Sequence, residues 1–182
     1  MKTSQERSFL RSIRLVSRAH TMASHTTANF KRINAEDLRD ILLSPKASSV
    51  AVIDVRGDDH VGGHIRGSSH VPISSLDYKL PELIRKLAGK EKVVFHCALS
   101  QERGPTAALR YLRERQGKED KGELPEDAIE NAHDSKEGGG DDAKEAIQEV
   151  YVLDKGFVGW QGKYGRDERL TEAYAPDVWE DY

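Results

Sequence analysis

From residue 33 onward the chain sets short apolar runs between polar punctuation at intervals that suit helices alternating with strands. Asn34 stands three residues before Asp37 and opens a segment in which Leu38, Ile41 and Leu42 share a face, predicting a capped helix that ends before Pro45. Val50 to Val55 holds four apolar residues, Asp54 and another valine, the pattern of a strand buried on both faces. The stretch RGDDHVGGHIRGSSHVP that follows is glycine-rich and aperiodic, and reads as a loop. A second helix is predicted from Pro81 through Leu83, Ile84 and Leu87 to Gly89, and a second strand over Lys92 to His96. Gly104-Pro105 opens a third helix reaching about Arg115, with Ala107, Ala108, Tyr111 and Leu112 turned inward. Val150 to Leu153 is a third strand, Asp154 to Gly156 a turn, and a short helix surrounds Val158 and Trp160. This order places the chain in the α/β class.

Two segments fall outside the pattern. Up to residue 22, Lys2, Arg7, Arg11, Arg14 and Arg18 stand against one acid, Glu6, while Phe9, Ile13 and Val16 recur at helical spacing. Mitochondrial transit peptides and disordered basic tails share that composition, and Met22 offers a second start for translation. Residues 116–146 carry 11 acids and four lysines. Such a stretch buries too little apolar surface to offset its ordering entropy, which predicts a flexible acidic insertion in a surface loop, with a phosphorylated or partner-binding segment as the functional alternative. The domain is therefore placed at 30–165, between a basic extension at 1–29 and a charged, aromatic tail at 166–182 that packs loosely over it.

Composition narrows the function. At 37% apolar and 32% charged residues the chain suits one core with solvated additions rather than two full domains. A net charge of -3 supplies no field to hold nucleic acid or an anionic membrane, so any anion site must be local. No apolar run approaches the roughly 18 residues of a membrane helix. A single cysteine, Cys97, excludes both an intrachain disulfide and a zinc site with two thiolates.

That cysteine directly follows the strand Lys92 to His96, and Arg103 stands six positions on, where the third helix begins. Open α/β sheets bind ligands beyond the carboxyl ends of their strands. The five intervening residues, Ala98, Leu99, Ser100, Gln101 and Glu102, must wrap as a tight loop whose N–H groups point to its centre, where the helix N-terminus adds positive charge. Such a concavity suits a tetrahedral oxyanion held by Ala98 to Arg103, and favours the nucleophilic thiolate of Cys97. Arg103 can clasp two of the oxyanion's oxygens in a bidentate fork. Ser100 is a hydrogen-bond partner for the thiolate or the leaving group. Glu102, the acid inside the loop, is either a proton donor to the leaving oxygen or a solvated or paired charge. His60, His64 and His70 lack the helical frame of a metal site, and no metal is expected. His96 is read as fixing the loop by hydrogen bonding.

The runs HCALSQERGP and DVRGDDHVGGHIRGSSHVP together resemble the catalytic domain of the M-phase inducer phosphatases. They resemble equally its small single-domain relatives among rhodanese-like phosphatases and eukaryotic arsenate reductases. The resemblance spans roughly Ile33 to Trp160 without the acidic insertion, and rests on Asp54, Arg56, Gly63-His64-Ile65, Pro72, the cysteine loop and Leu153 to Trp160. It implies a rhodanese-like fold, a mainly parallel sheet flanked by helices, and chemistry through a cysteinyl phosphate on Cys97. It implies also that Asp54 and Arg56 support the loop scaffold. Two departures stand out. The M-phase phosphatases carry a resolving cysteine where this chain has Val55, so no intramolecular redox safety catch exists, and their long C-terminal docking helix has no counterpart in Gly165 to Tyr182.

The leading expectation is a phosphomonoesterase of the protein tyrosine or dual-specificity type. The alternative is arsenate reduction on the same loop, with glutathione as co-substrate because the chain has no second thiol. Sulfur transfer of the thiosulfate type is disfavoured, since sulfurtransferases resembling this fold close the loop with one residue fewer. A silent binding module would be expected to have lost Cys97 or Arg103. No cofactor beyond glutathione is expected. The partner is a phosphorylated protein or a small oxyanion, with neither nucleic acid nor membrane, and the sequence leaves the oligomeric state open. An intracellular protein of cytoplasm and nucleus is expected, or a mitochondrial one if residues 1–22 act as a transit peptide.

Overall fold

The computed structural model describes residues 30–124 and 148–180. Its strands are β1 (Lys31–Ile33), β2 (Val50–Asp54), β3 (His64–Ile65), β4 (Ser69–His70), β5 (Lys92–His96), β6 (Glu149–Leu153) and β7 (Thr171–Glu172). Its α-helices are α1 (Ala35–Leu42), α2 (Leu76–Lys86), α3 (Arg103–Asp120) and α4 (Gly156–Tyr164). Five strands form one sheet in the order β1-β6-β5-β2-β4, every neighbouring pair parallel, so each strand delivers its C-terminal end to the same edge. The expected mainly parallel sheet flanked by helices is the architecture found.

The central strand shows why both faces are covered: Val93, Val94, Phe95 and His96 are all buried. On one face Val93 and Phe95 join Leu80, Leu83 and Ile84 of α2 and Ala107, Ala108 and Tyr111 of α3. On the other, Val52 and Val94 join Leu38 of α1 and Phe157 and Trp160 of α4. Asn34 caps α1 as its spacing predicted, its Oδ1 accepting the backbone N–H of Asp37 at 2.7 Å.

Three expectations need correction. The second helix begins at Leu76 rather than Pro81, because Leu76 and Leu80 continue its buried face, and Pro81, in the helix interior, stands on the exposed side. The third helix runs past Arg115 to Asp120, so the acidic insertion does not begin at 116. Gln116 Nε2 donates to Asp120 Oδ1 at 2.9 Å one turn on, and Leu112 and Leu124 pack against the core. The tail is not loosely packed, and the domain does not stop at 165. Leu170 and Thr171 are buried, Trp160 Nε1 donates to Thr171 Oγ1 at 3.0 Å, and β7 pairs antiparallel with β3, a two-residue strand inside the stretch read as loop. The basic extension 1–29 and the acidic residues 125–146 lie outside the described residues. Among the described residues no helix is long and apolar enough to cross a membrane.

Candidate active site

The C-terminal ends of β2 and β5 are adjacent, with Asp54 opposite His96, and the two predicted segments meet there. Beyond β5 the chain turns sharply through Cys97 to Glu102 and enters α3 at Arg103. Ser100 takes a left-handed backbone conformation, φ 53°, uncommon for a residue with a side chain. That turn aims its backbone N–H at Cys97 Sγ, 3.2 Å away. The Ser100 hydroxyl instead accepts the backbone N–H of Cys97 at 3.4 Å, so it is the backbone of Ser100, not its hydroxyl, that meets the thiol. Leu99, Gln101 and Glu102 are exposed, while Ala98 is half-buried.

The loop is held from behind by α4. Phe157 N–H donates to Cys97 O and Val158 N–H to Ala98 O, both at 2.9 Å, which turns these carbonyls away from the concavity. Only glycine fits at 156: its φ is +55°, and a Cβ would stand 2.4 Å from Ala98 O and 2.5 Å from Cys97 O. Arg32 on β1 adds a long contact from NH2 to Ser100 O, 3.4 Å.

Arg103 lies at the mouth of the loop, and its fork is filled. NH1 donates to Asp59 Oδ1 at 2.6 Å and NH2 to Asp59 Oδ2 at 2.5 Å, the bidentate geometry expected for an oxyanion. The pair is about two-thirds buried. Hydrogen bonds from Arg103, aided by Gly57 N–H, hold the Asp59 carboxyl down at about 2, and Asp59 in turn raises the Arg103 guanidinium further above its ordinary value. Asp59 escaped the sequence reading because two adjacent acids, Asp58 and Asp59, stand in an aperiodic loop and nothing in their spacing points at Arg103.

The Asp59 loop has its own supports. Arg56 and Asp54 are wholly buried and paired, Nε and NH2 reaching Asp54 Oδ2 at 2.9 and 2.7 Å. Arg56 also donates to Gly63 O at 2.7 Å and Val61 O at 3.3 Å, and lies 4.2 Å from the Phe157 ring centre. Trp179 Nε1 donates to Gly62 O at 2.8 Å. Burial alone would push the Asp54 carboxyl up; neighbouring His96 and Arg56 hold it below its ordinary value, and since burial keeps His96 neutral, Arg56 is the partner that matters.

The histidines are brought together without forming a metal centre. His60 stacks on His70 at 3.8 Å between ring centres and on His64 at 5.7 Å. His64 Nε2 meets Glu172 Oε2 at 3.1 Å and His70 Nε2 meets Arg56 O at 2.8 Å, so these two Nε2 atoms are engaged elsewhere. Among the described residues no group of three His, Cys, Asp or Glu is arranged around a common ion. His96 Nδ1 contacts Cys97 O at 3.3 Å, in line with a loop-fixing role.

The cysteine loop thus stands at the end of a buried parallel strand and is backed by α4. The family model of the Rhodanese-like domain matches residues 34–163. The chain belongs to the rhodanese-like domain family. The CDC25-like phosphatase YCH1 of Saccharomyces cerevisiae is 31% identical over 173 residues, covering 87% of this chain and 99% of that protein. Arsenate reductase 2.2 of Oryza sativa subsp. japonica is 33% identical over 130 residues, covering 71% of this chain and 80% of the reductase. A solved structure described as Ygr203w, a yeast protein tyrosine phosphatase of the Rhodanese family, has a TM-score of 0.61 at 32% identity, covering 86% of this chain and 99% of its own. Within this rhodanese-like domain, the tail from Leu170 to Trp179 lies beyond the family match yet supplies Trp179 to the Asp59 loop.

Proposed function

We propose that this rhodanese-like protein is a cysteine-dependent phosphatase of the protein tyrosine or dual-specificity type, acting through a cysteinyl phosphate on Cys97. The observation that carries the reading is the Ser100 N–H directed at Cys97 Sγ in the same loop whose mouth holds the Arg103 fork. The Cys97 thiolate attacks phosphorus, the S–P bond forming as the bond to the leaving oxygen breaks. The N–H groups of Ala98 to Arg103 and the Arg103 fork hold the equatorial oxygens, where charge accumulates in the transition state. Water then attacks the cysteinyl phosphate and returns the thiolate. The yeast phosphatase relative supports this choice, and the acceptable substrates are a phosphorylated protein or a smaller phosphate ester.

Arsenate reduction on the same loop is the second reading, favoured by the rice reductase relative. There Cys97 attacks arsenic as a hydroxyl leaves as water. Glutathione, the second thiol that this chain lacks, then attacks the Cys97 sulfur so that arsenic departs as arsenite and a mixed disulfide remains, and a further glutathione returns the thiol. Parallel assays on one sample decide among the activities: p-nitrophenyl phosphate hydrolysis, arsenate reduction with glutathione, and sulfur transfer from thiosulfate to cyanide. Dominant phosphate hydrolysis is expected; dominant arsenate reduction or sulfur transfer would overturn the choice.

A further inference from the structure

In the free protein the groove meant for an oxyanion holds a carboxylate instead. Both terminal nitrogens of Arg103 are engaged by the two oxygens of Asp59, the same pair of parallel hydrogen bonds that a bound phosphoryl group would accept. An incoming dianion and the Asp59 carboxylate cannot both occupy one fork, because like charges at that distance repel strongly in a partly buried site. Binding therefore pushes Asp59 off the guanidinium but leaves it beside the bound group, since its loop is held in place by Arg56 at Val61 O and Gly63 O and by Trp179 at Gly62 O.

We propose that Asp59 is the proton donor of the phosphoryl-transfer step, kept ionised on Arg103 until the substrate takes the fork. This rests on the phosphatase reading above. The groups facing Asp59 are few: Arg103 from α3, with Cys97 behind it, and Gly57 N–H from its own loop, donating to Oδ1 at 2.9 Å. Arg103 is what holds the carboxyl low in the free protein, so its loss to the substrate, with a dianion arriving alongside, drives proton uptake from solvent. In the chemical step Cys97 Sγ forms its bond to phosphorus while the bond to the leaving oxygen breaks, and the Asp59 proton passes to that oxygen, leaving a carboxylate. In hydrolysis the same carboxylate accepts a proton from the attacking water as the S–P bond breaks, restoring the carboxylic acid. Release of phosphate frees Arg103, the proton returns to solvent and the pair re-forms. Glu102 is exposed at the edge of the loop and has no comparable tie to Arg103.

The test compares wild type, Asp59→Asn and Glu102→Gln on two aryl phosphates, one with an activated leaving group (p-nitrophenyl phosphate) and one without (phenyl phosphate). A lost proton donor removes about 10²-fold or more of kcat on phenyl phosphate and far less on p-nitrophenyl phosphate, whose phenolate leaves without help. We expect that split for Asp59→Asn and none for Glu102→Gln. Binding of tungstate to Cys97→Ser, alone and with Asp59→Asn, shows whether the cradle survives. Adding Asp59→Asn should leave tungstate affinity unchanged or tighter, because a competitor for Arg103 is removed. Equal loss on both esters, no loss on phenyl phosphate, or the split appearing in Glu102→Gln instead would overturn the assignment with the phosphatase reading intact. Failure of the wild type to turn over either ester would overturn that reading, and the assignment with it.

Discussion

The backbone N–H of Phe157 donates to the carbonyl of Cys97 at 2.9 Å, joining the first turn of one helix to the residue that opens the cysteine loop. The join depends on Gly156, whose missing side chain leaves room for the Cys97 and Ala98 carbonyls. Gly156→Ala should therefore push the loop and helix apart. A loss of about 2–4 kcal/mol in stability is expected from overpacking together with a strained backbone, with activity falling further than the folded fraction. Urea denaturation and phosphatase assays on one preparation measure both; a variant as stable and active as wild type would show that the loop does not need this support.

Cys97→Ser should abolish turnover while keeping oxyanion binding, because the proposed cradle is chiefly backbone. Arg103→Lys should lose about 10²-fold or more in kcat/KM, since a point charge cannot reproduce a two-pronged clasp. Tungstate titration of both variants separates the roles: retained binding is expected with serine at 97, and weakened binding with lysine at 103.

Stability should fall on mild acidification through the buried histidine. Burial holds His96 below its ordinary value of 6.5, opposed in part by Asp54. Under acidic conditions the unfolded chain takes up a proton that the folded chain refuses, so His96 contributes stability above 6.5 that is lost as pH falls toward the depressed folded value. His60 is shifted the same way, again by burial. The lowered Asp54 and Asp59 carboxyls act only below their ordinary value of 3.8, leaving the window just below 6.5 to the histidines. The urea midpoint should be lower at the acid end of that window, and the difference should shrink in His96→Phe.

Trp179→Ala should be costly for a residue so far from the thiol in sequence. Its side chain is 8% exposed, packs on Phe157 at 5.4 Å between ring centres, and holds Gly62 O. About 3 kcal/mol is expected from the cavity and the lost hydrogen bond. Activity should drop as the Asp59 loop loosens, a change readable by proteolysis between residues 57 and 63.

Much of this arrangement could be read from residue order. The strand Lys92 to His96, the loop to Arg103 and the helix beyond follow from apolar run, tight spacing and Gly-Pro, all local signals. Asn34 capping Asp37 is equally local. What escaped was decided at a distance: Asp59 meets Arg103 across 44 positions and Trp179 meets Gly62 across 117. The start of α2 was missed because proline is a good first residue of a helix, and only burial of Leu76 and Leu80 shows one turn more before it. The tail was expected to pack loosely because its charges hide a short buried stretch, Leu170 and Thr171.

Oxidation should distinguish this chain from enzymes with a resolving thiol. Val55 is buried, its own backbone N–H donating to His96 O at 2.9 Å, and it offers no sulfur to an oxidised Cys97. Brief peroxide treatment without glutathione should give activity that dithiothreitol restores only in part, with a sulfinic acid seen by intact mass. Glutathione present during treatment should give a mixed disulfide and full recovery. Full recovery in both cases would mean that Cys97 is protected by another route, such as a sulfenamide with a backbone nitrogen.

The sheet's outer strands have a consequence for how the protein behaves at high concentration. Among the described residues β1 offers three backbone positions, with Lys31 and Arg32 exposed, and β4 offers two before the chain reaches Pro72. Among these residues an invading strand would find few unpaired donors and acceptors, exposed ion pairs of Lys31 with Glu149 and Arg32 with Asp154 on one side and a proline on the other. The folded domain is thus a poor template for edge-to-edge growth, and aggregation on storage or heating should proceed through unfolded chains, tracking loss of the fold instead of preceding it.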